Sequence, residues 1–502
     1  MTASLERRAE LPTSEGLAPE QVQSQDGTSR LSTGLSLVTM LVLMAGLTRY
    51  AAAPLENPDT WFHLRIGEQL SGPWSLTHPG QLSSFGDVAW VPTQWSTEML
   101  AARFEAWFGL PGVAWFFGAL YLALALCVRA ACRREAAALP ATVATGACLL
   151  AASSAISARP QVVSLVLLAV VVAGWLSAGR GGRLPYHLVP LTWVWATAHG
   201  MWSTGVVVSA VCCAGLLLDR RRDGTVTKGL ALRAASVPLL GLGAACLTPI
   251  GPRLLTSQLT VAHRATYISE WAPTSFREPA ALVLAAMVAA VVVCYSLRPG
   301  VSWMRLLLLL LACGQAALVS RMVACSAVLV APLLAAELHL LLRSHPGIRS
   351  PWPRAERPVV LGGAAVLLAC LAAVVPHTAA DPAGVPVAFD ARLSALPAGS
   401  PVVVTDGVGS WLEWRHPELD PLVDGMFDAY PVEHLRQVAD LLHVRPGWQR
   451  FVTRTGARTA VLLEGTSLGD AMVHQLGWRV VQHSAGYVLL TRPAGTDSSS
   501  TP

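Results

Sequence analysis

The strongest constraint on this chain is a succession of apolar runs, too long and too closely spaced for a water-soluble fold. They fall at about 33–53, 110–131, 139–157, 160–178, 185–199, 203–218, 229–250, 279–297, 302–320, 322–342 and 358–376. A helix needs about 20 residues to cross the ~30 Å of a bilayer's hydrocarbon core. The expected fold is a polytopic α-helical membrane protein with about eleven transmembrane helices. Composition agrees: 53% of the 502 residues are hydrophobic and 13% are charged, against about 25% charged in a soluble domain.

Basic residues cluster between alternate runs: Arg129/Arg133/Arg134, Arg180/Arg183, Arg220/Arg221/Arg222, Arg298/Arg305 and Arg343/Arg349/Arg354/Arg357. With Arg7 and Arg8 inside, an eleven-span count places every cluster on the cytoplasmic side, as the positive-inside rule requires. Merging 302–320 with 322–342 would put either the tail or an arginine cluster on the wrong side. Such short clusters, in a chain of net charge +5, are a topology signal and not a nucleic-acid surface. The first run lacks a clean cleavage site and reads as a span, not a removed leader. Lys228 is the only lysine among many Arg and Ala residues, the composition of a GC-rich bacterial genome. The expected location is the bacterial cytoplasmic membrane, with the N-terminus cytoplasmic and the C-terminal domain extracytoplasmic. All ten cysteines lie in or beside apolar runs and read as small membrane-core residues, not disulfides or metal ligands.

Four pieces follow: a disordered N-terminus (1–30), a transmembrane domain (31–376) with an outer loop (54–109), an extracytoplasmic α/β domain (377–494) and a frayed tail (495–502). In the α/β piece, 401–405 and 459–463 read as strands, 406–409 as a turn and 421–425 as a second strand end. Residues 431–455 have helical spacing, and 478–481 with 487–490 form a hairpin around Ala485-Gly486.

The outer loop opens with Asn57-Pro58-Asp59-Thr60-Trp61-Phe62-His63-Leu64-Arg65-Ile66-Gly67-Glu68. Asn57 suits a helix cap and Pro58 the first helical position. Asp59 and His63 are then i,i+4 and share a face. One reading is an interfacial helix, with the acid complementing the helix dipole and Trp61 in the headgroup belt. The other makes Asp59 a general base or metal ligand with His63 beside it. Further along, Gln94 and Glu98 precede an amphipathic stretch (Met99, Leu100, Phe104, Trp107, Phe108) that reads as a second helix on the outer membrane face. Membrane anchoring explains the aromatics better than it explains Gln94 and Glu98.

The junctions without basic clusters carry Arg159, His199, Glu270 and Arg321, and all map to the same outer side as Asp59. Within a span a charge is disfavoured by about 2.5–3.5 kcal/mol, less near the interface. Each alone reads as a snorkelling or structural residue. Together they have the composition expected for gripping an anionic lipid phosphate beside a catalytic carboxylate. If so, Asp59, Glu270, His199 and Arg321 converge in one outward cavity.

An outward acid after the first span, followed by Trp61-Phe62-His63-Leu64-Arg65, resembles the GT-C superfamily of polyprenyl-phosphate-dependent glycosyltransferases. Residues 59–65 are also similar to the matching segment of the oligosaccharyltransferase catalytic subunit. The whole order resembles a group of bacterial GT-C-like membrane proteins over roughly 33–490: Asp59, His63-Leu64-Arg65, Gly67, Ser84-Phe85, Trp95, Arg159-Pro160-Gln161, His199-Gly200, Pro249, Gly251, Glu270-Trp271, Arg321, Trp411 and Asp424-Gly425. The resemblance implies Asp59 as base for the acceptor or as ligand of a divalent cation (Mg or Mn), with Glu270 as second acid. It implies His63, Arg65, Gln94, Arg159, His199 and Arg321 as substrate-binding residues, the two outer-junction arginines holding phosphate. The partners it implies are a polyprenyl-phosphate sugar donor, membrane lipids and a cell-envelope glycan, lipid or protein acceptor. The tail has no Trp-Trp-Asp-Tyr-Gly signature, which argues against transfer to asparagine. The alternative is a non-catalytic lipid-linked glycan binding or transport protein with the same fold. Asp406, Asp424 and Asp428 read either as turn acids or as a cap over the site.

Overall fold

The computed structural model describes residues 19–257, 267–342 and 355–493, with backbone alone for 19–31 and 269. The expected disorder of 1–30 and 495–502 falls largely outside these residues, as do Arg7, Arg8, Arg343, Arg349 and Arg354. Apolar helices dominate: α1 (Pro19–Ala51), α3 (Trp95–Glu135), α4 (Ala138–Ala151), α5 (Gln161–Gly179), α6 (Leu188–Ala198), α7 (Trp202–Arg222), α8 (Lys228–Cys246), α9 (Pro279–Ser296), α10 (Trp303–Leu318), α11 (Met322–Leu341) and α12 (Glu356–Thr378); α2 (Asp59–Leu70) lies between the first two. Each expected run coincides with a helix. Among the described residues eight are long and apolar enough to cross a membrane, whereas α4, α6 and α10 are shorter. Helix α11 is the hub, 89% buried against 22% for α12, because it is apolar on every face and its neighbours pack all round it.

Helix α3 is two helices in one. Gly109 has φ 66° and ψ −163°, a backbone that breaks helical geometry and that a side chain would strain. The break separates the amphipathic stretch before it from the span after it.

At the end of the bundle carrying the basic clusters, arginines pair with buried acids. Arg129 and Arg133 both bond Glu356, Arg180 and Arg305 both bond Glu135, and Arg298 bonds Glu337. Arg129 is fully buried. The positive-inside signal in the sequence is thus in part an internal ion-pair network.

The C-terminal part holds a five-stranded sheet of order β2-β1-β3-β5-β4. Its strands are β1 (Pro401–Val403), β2 (Asp420–Pro421), β3 (Thr459–Leu463), β4 (Arg479–Ser484) and β5 (Tyr487–Thr491). β1 runs parallel to β2 and β3, and β5 is antiparallel to β3 and β4. Ala485 (φ 50°) and Gly486 (φ 79°) close the β4–β5 hairpin, as two positive φ values in a two-residue turn require. Helices α13 (Asp406–Arg415), α14 (Val432–Leu442), α15 (Trp448–Thr455) and α16 (Ser467–Leu476) complete the unit.

One expectation fails here, and one element appears that the sequence reading does not include. Residues 406–409 start helix α13 and are not a turn. The glycines serve packing: a Cβ on Gly409 would lie 1.8 Å from the carbonyl oxygen of Val423. Residues 467–476 form an unexpected helix, capped by the Thr466 hydroxyl accepting from Gly469 N and ended by left-handed Gly477.

Candidate active site

Helix α2 begins as the sequence prescribes. Asn57 Oδ1 accepts from Asp59 N at 3.0 Å, an Asx-type cap ahead of Pro58. The helix is packed inside the protein and is not an exposed surface helix. Thr60, Trp61, Phe62, His63, Leu64, Ile66, Gly67 and Leu70 are all buried. Trp61 packs on Trp414 with ring centroids 4.8 Å apart, not in a headgroup belt. Close approach is built in: a Cβ on Gly407 would meet Pro58 at 2.9 Å, and one on Gly425 would meet the Phe62 ring at 2.6 Å. The α2 helix is wedged between the bundle and the C-terminal unit.

That wedge aims one face of α2 at the outer junctions. The Thr60 hydroxyl donates to the carbonyl of Ala158 at 2.9 Å, which draws the 157–160 turn against the start of the helix. Arg159 Nη1 then lies 2.7 Å from Asp59 Oδ2 and 2.7 Å from Glu270 Oε1. Ser157 Oγ accepts from Arg159 Nε at 3.0 Å and fixes the guanidinium plane. Glu270 is placed by two backbone bonds, Arg321 N to Glu270 O and Ser320 N to Ala272 O, both 2.9 Å. Its second oxygen is 3.6 Å from Arg321 Nη1. Arg321 Nη2 reaches Nε2 of His199 at 3.4 Å. Nδ1 of His199 is 2.8 Å from Ser164 Oγ, which accepts from the Trp195 indole at 2.7 Å. The result is a continuous chain: Asp59, Arg159, Glu270, Arg321, His199, Ser164.

All of these but Ser164 face a cavity of about 680 Å³, within the size range of small-molecule sites. Asp59, His63, Gln94, Arg159, His199, Glu270 and Arg321 all line it, so seven of the eight expected site residues converge. Arg65 does not. It projects from another face of α2 and donates to Glu68 at 2.5 Å.

Three acids beyond those expected at the reacting centre also line the cavity: Glu98, Asp406 and Asp428. Glu98 Oε1 is 2.8 Å from Nδ1 of His63. Its i,i+4 spacing from Gln94 was the available signal. Asp406 opens α13, and burial pushes its carboxyl up, with the Asp59 charge adding to the rise and the Gly407 N–H opposing it. Asp424 is buried beside the cavity; its Oδ1 accepts from Met426 N at 2.6 Å. Ser84 and Phe85 have a structural role. Ser84 N donates to Asp420 at 2.9 Å, and Phe85 stacks on His434.

The point shared by Asp59 and Glu270 holds a guanidinium nitrogen, Nη1 of Arg159. Among the described residues no three His, Cys, Asp or Glu side chains are grouped to hold a metal.

No family model matches the chain, and no curated protein matches it. Solved structures do. The archaeal oligosaccharyltransferase AglB from Archaeoglobus fulgidus, in complex with an inhibitory peptide and a dolichol-phosphate, aligns with TM-score 0.54 and 12% identity over 85% of this chain and 69% of that one. The A. fulgidus oligosaccharyltransferase tethered to an acceptor peptide aligns with TM-score 0.54 and 13% identity over 85% and 68%. ArnT from Cupriavidus metallidurans bound to undecaprenyl phosphate gives TM-score 0.48 and 16% identity over 93% and 98%. At these identities the likeness is one of fold. The chain shares the membrane fold of the A. fulgidus oligosaccharyltransferase.

Proposed function

We propose that the chain is a membrane glycosyltransferase that moves a sugar from a polyprenyl-phosphate donor to a glycan, lipid or protein acceptor. The observation that carries this reading is the alternation of charge along one cavity wall: Asp59, Arg159, Glu270, Arg321. A phosphate is an oxyanion like a carboxylate, and a guanidinium binds either through parallel N–H bonds. An entering lipid phosphate exchanges for the carboxylates on Arg159 and Arg321. Asp59 and Glu270, released, then stand near the anomeric carbon as positive charge builds on it. Arg159 and Arg321 take up the negative charge left on the phosphate. His63, Gln94 and His199 line the same space and suit hydrogen bonding to sugar and acceptor hydroxyls.

The topology proposed with this function has eleven spans in a bacterial cytoplasmic membrane, the N-terminus inside and the unit 377–494 outside, over the mouth of the cavity. An outer site has no access to cytosolic nucleotide sugars, which favours a lipid-linked donor.

The test uses the full chain in nanodiscs, with polyprenyl phosphate as binding probe and a panel of polyprenyl-phosphate sugars as donors. Asp59→Asn is expected to bind the probe and lose transfer, while Arg321→Ala loses binding. Undiminished transfer by Asp59→Asn overturns the assignment. Tight, Arg321-dependent binding without turnover on any donor points instead to a non-catalytic glycan-lipid binder.

A further inference from the structure

His63 and Glu98 form a pair that the arginine–carboxylate chain does not include. Nδ1 of His63 lies 2.8 Å from Glu98 Oε1, with the side chains 8% and 1% exposed. Both line the cavity. The pairing is imposed by the backbone, because α2 and α3 touch at Gly67, one turn after His63. A carboxylate bonded to Nδ1 holds the proton on that nitrogen and leaves the Nε2 lone pair free. Nε2 of His63 has no hydrogen bond to any described residue. The second carboxylate oxygen of Glu98 is also buried without a partner. Burial pushes the Glu98 carboxyl up and the hydrogen bond and charge of His63 pull it back down, so the pair holds its proton jointly.

Asp59 is differently placed. Its Oδ2 accepts a charge-assisted bond from Arg159 at 2.7 Å; the entering phosphate releases it beside the anomeric carbon, where its charge stabilises the developing positive charge and is not spent on the acceptor proton. We infer that His63 is the proton acceptor of the transfer reaction, with Glu98 as the positioning residue that sets its tautomer and an acceptor hydroxyl as the group it activates. This inference rests on the glycosyl-transfer reading above and supplies the base which that reading leaves unassigned, in place of Asp59, the base that the family resemblance implies.

The step balances. The acceptor O–H proton moves to Nε2 of His63. The acceptor oxygen forms a bond to the anomeric carbon. The bond from that carbon to the phosphate oxygen breaks, and its electron pair leaves on the polyprenyl phosphate beside Arg159 and Arg321. The imidazolium is compensated by Glu98 and returns its proton to water after product leaves. The surroundings suit a base that is neutral before reaction. Burial pushes His63 below the usual imidazole range. Glu98, across from it on α3, pulls the other way, and Arg159 and Arg321 from the junctions before α5 and α11 push it down further. His199 faces it from the end of α6, and Asp59 precedes it by one turn on α2.

The experiment measures transfer from a polyprenyl-phosphate sugar by the full chain in nanodiscs, with polyprenyl phosphate binding as the control for fold. His63→Gln retains a donor to Glu98 and is expected to lose transfer by about 10²-fold or more, the usual worth of a general base, while binding the probe like the wild type. His63→Ala is expected to be partly restored by added imidazole. Glu98→Gln removes the charge that raises the His63 pKa, so the acidic limb of the kcat/KM profile moves to lower pH. Transfer by His63→Gln at the wild-type rate, or an acidic limb that Glu98→Gln leaves in place, overturns the inference and leaves the transferase reading intact. A wild type that turns over no polyprenyl-phosphate sugar overturns both.

Discussion

A Cβ on Gly67 would lie 2.1 Å from the backbone carbonyl oxygen of Glu98. No other residue type allows α2 and α3 to cross this closely, and the crossing holds His63, four residues earlier on the same face, against the Glu98 side chain. Gly67→Ala must push the helices apart. The expected cost is about 1–3 kcal/mol, as for overpacking a tight contact, with loss of transfer well beyond what that destabilisation explains. Thermal unfolding and sugar transfer measured on the same preparation check this. An alanine variant with wild-type melting and wild-type activity would show that the contact has no function.

Arg159 leads to a prediction about metals. Its Nη1 lies 2.7 Å from both Asp59 and Glu270, a fixed cation where a divalent ion would otherwise bridge them. Transfer is therefore expected to persist in excess EDTA and to gain nothing from added Mg or Mn. Arg159→Ala leaves two acids facing each other and should weaken polyprenyl phosphate binding by roughly 1.5–3 kcal/mol, the worth of a hydrogen bond to a charged group, since Asp59 and Glu270 are each about a third exposed. Activity that vanishes with EDTA and returns with Mg would refute the internal-cation reading.

Much of the site is legible in the sequence because a membrane chain exposes its unusual residues. Arg159, His199, Glu270 and Arg321 stand at the ends of apolar runs with no topological reason to be there, and span alternation places them on the side of Asp59. Arg65 misled because neighbours in sequence diverge on a helix: it is two residues from His63, and i,i+2 side chains do not share a face. The role of Glu98 was hidden because its partner is 35 residues away and their meeting depends on the Gly67 contact. Helix α13 was missed for a similar reason. Gly407 and Gly409 look like a turn in isolation, and their packing against Pro58 and Val423 exists only in the folded chain.

The C-terminal unit predicts a pH dependence of stability. Glu413 and Asp424 are buried to 2% and 1% exposure. Burial raises both carboxyls, their mutual repulsion adds to the rise in Glu413, and the Met426 N–H bond tempers it in Asp424. A carboxyl raised in the folded state binds more protons there than in the unfolded chain. Stability therefore falls as pH climbs from the ordinary carboxylate range through the raised folded values. Glu413→Gln should flatten that slope. At neutral pH it should also stabilise the protein by about 1–3 kcal/mol, the cost of an unsatisfied buried polar group, since Glu413 Oε1 has no partner. Melting temperatures of wild type and variant across pH 5–9 (a range of roughly two units either side of neutral, where such raised acids titrate) decide the matter. Parallel curves would mean that neither acid titrates differently on folding.

At the opposite end of the bundle, Glu356 serves two arginines at once. Its Oε1 accepts from Arg129 Nη2 at 2.5 Å and from Arg133 Nε at 2.9 Å, and its Oε2 from Arg133 Nη2 at 2.9 Å. The side chains of Glu356 and Arg129 are fully buried. Ser36 and Thr142 complete the shell, each accepting from Arg129, so one polar knot joins α1, α3, α4 and α12. Removing the acid leaves two guanidinium groups facing each other without a counter-charge. Breaking a buried pair in this way costs ~3–5 kcal/mol, much of it the unpaired charge and not the lost attraction. Glu356→Ala is therefore expected to lower the thermal midpoint sharply, and Arg129→Met combined with Glu356→Ala to recover part of the loss, because the uncompensated charge goes with the arginine. Arg133 keeps its bond to the carbonyl of Ala136 at the end of α3, so the double variant retains a partner for the remaining cation. Equal destabilisation by the single and double variants would show that packing, not charge, sets the stability of this end.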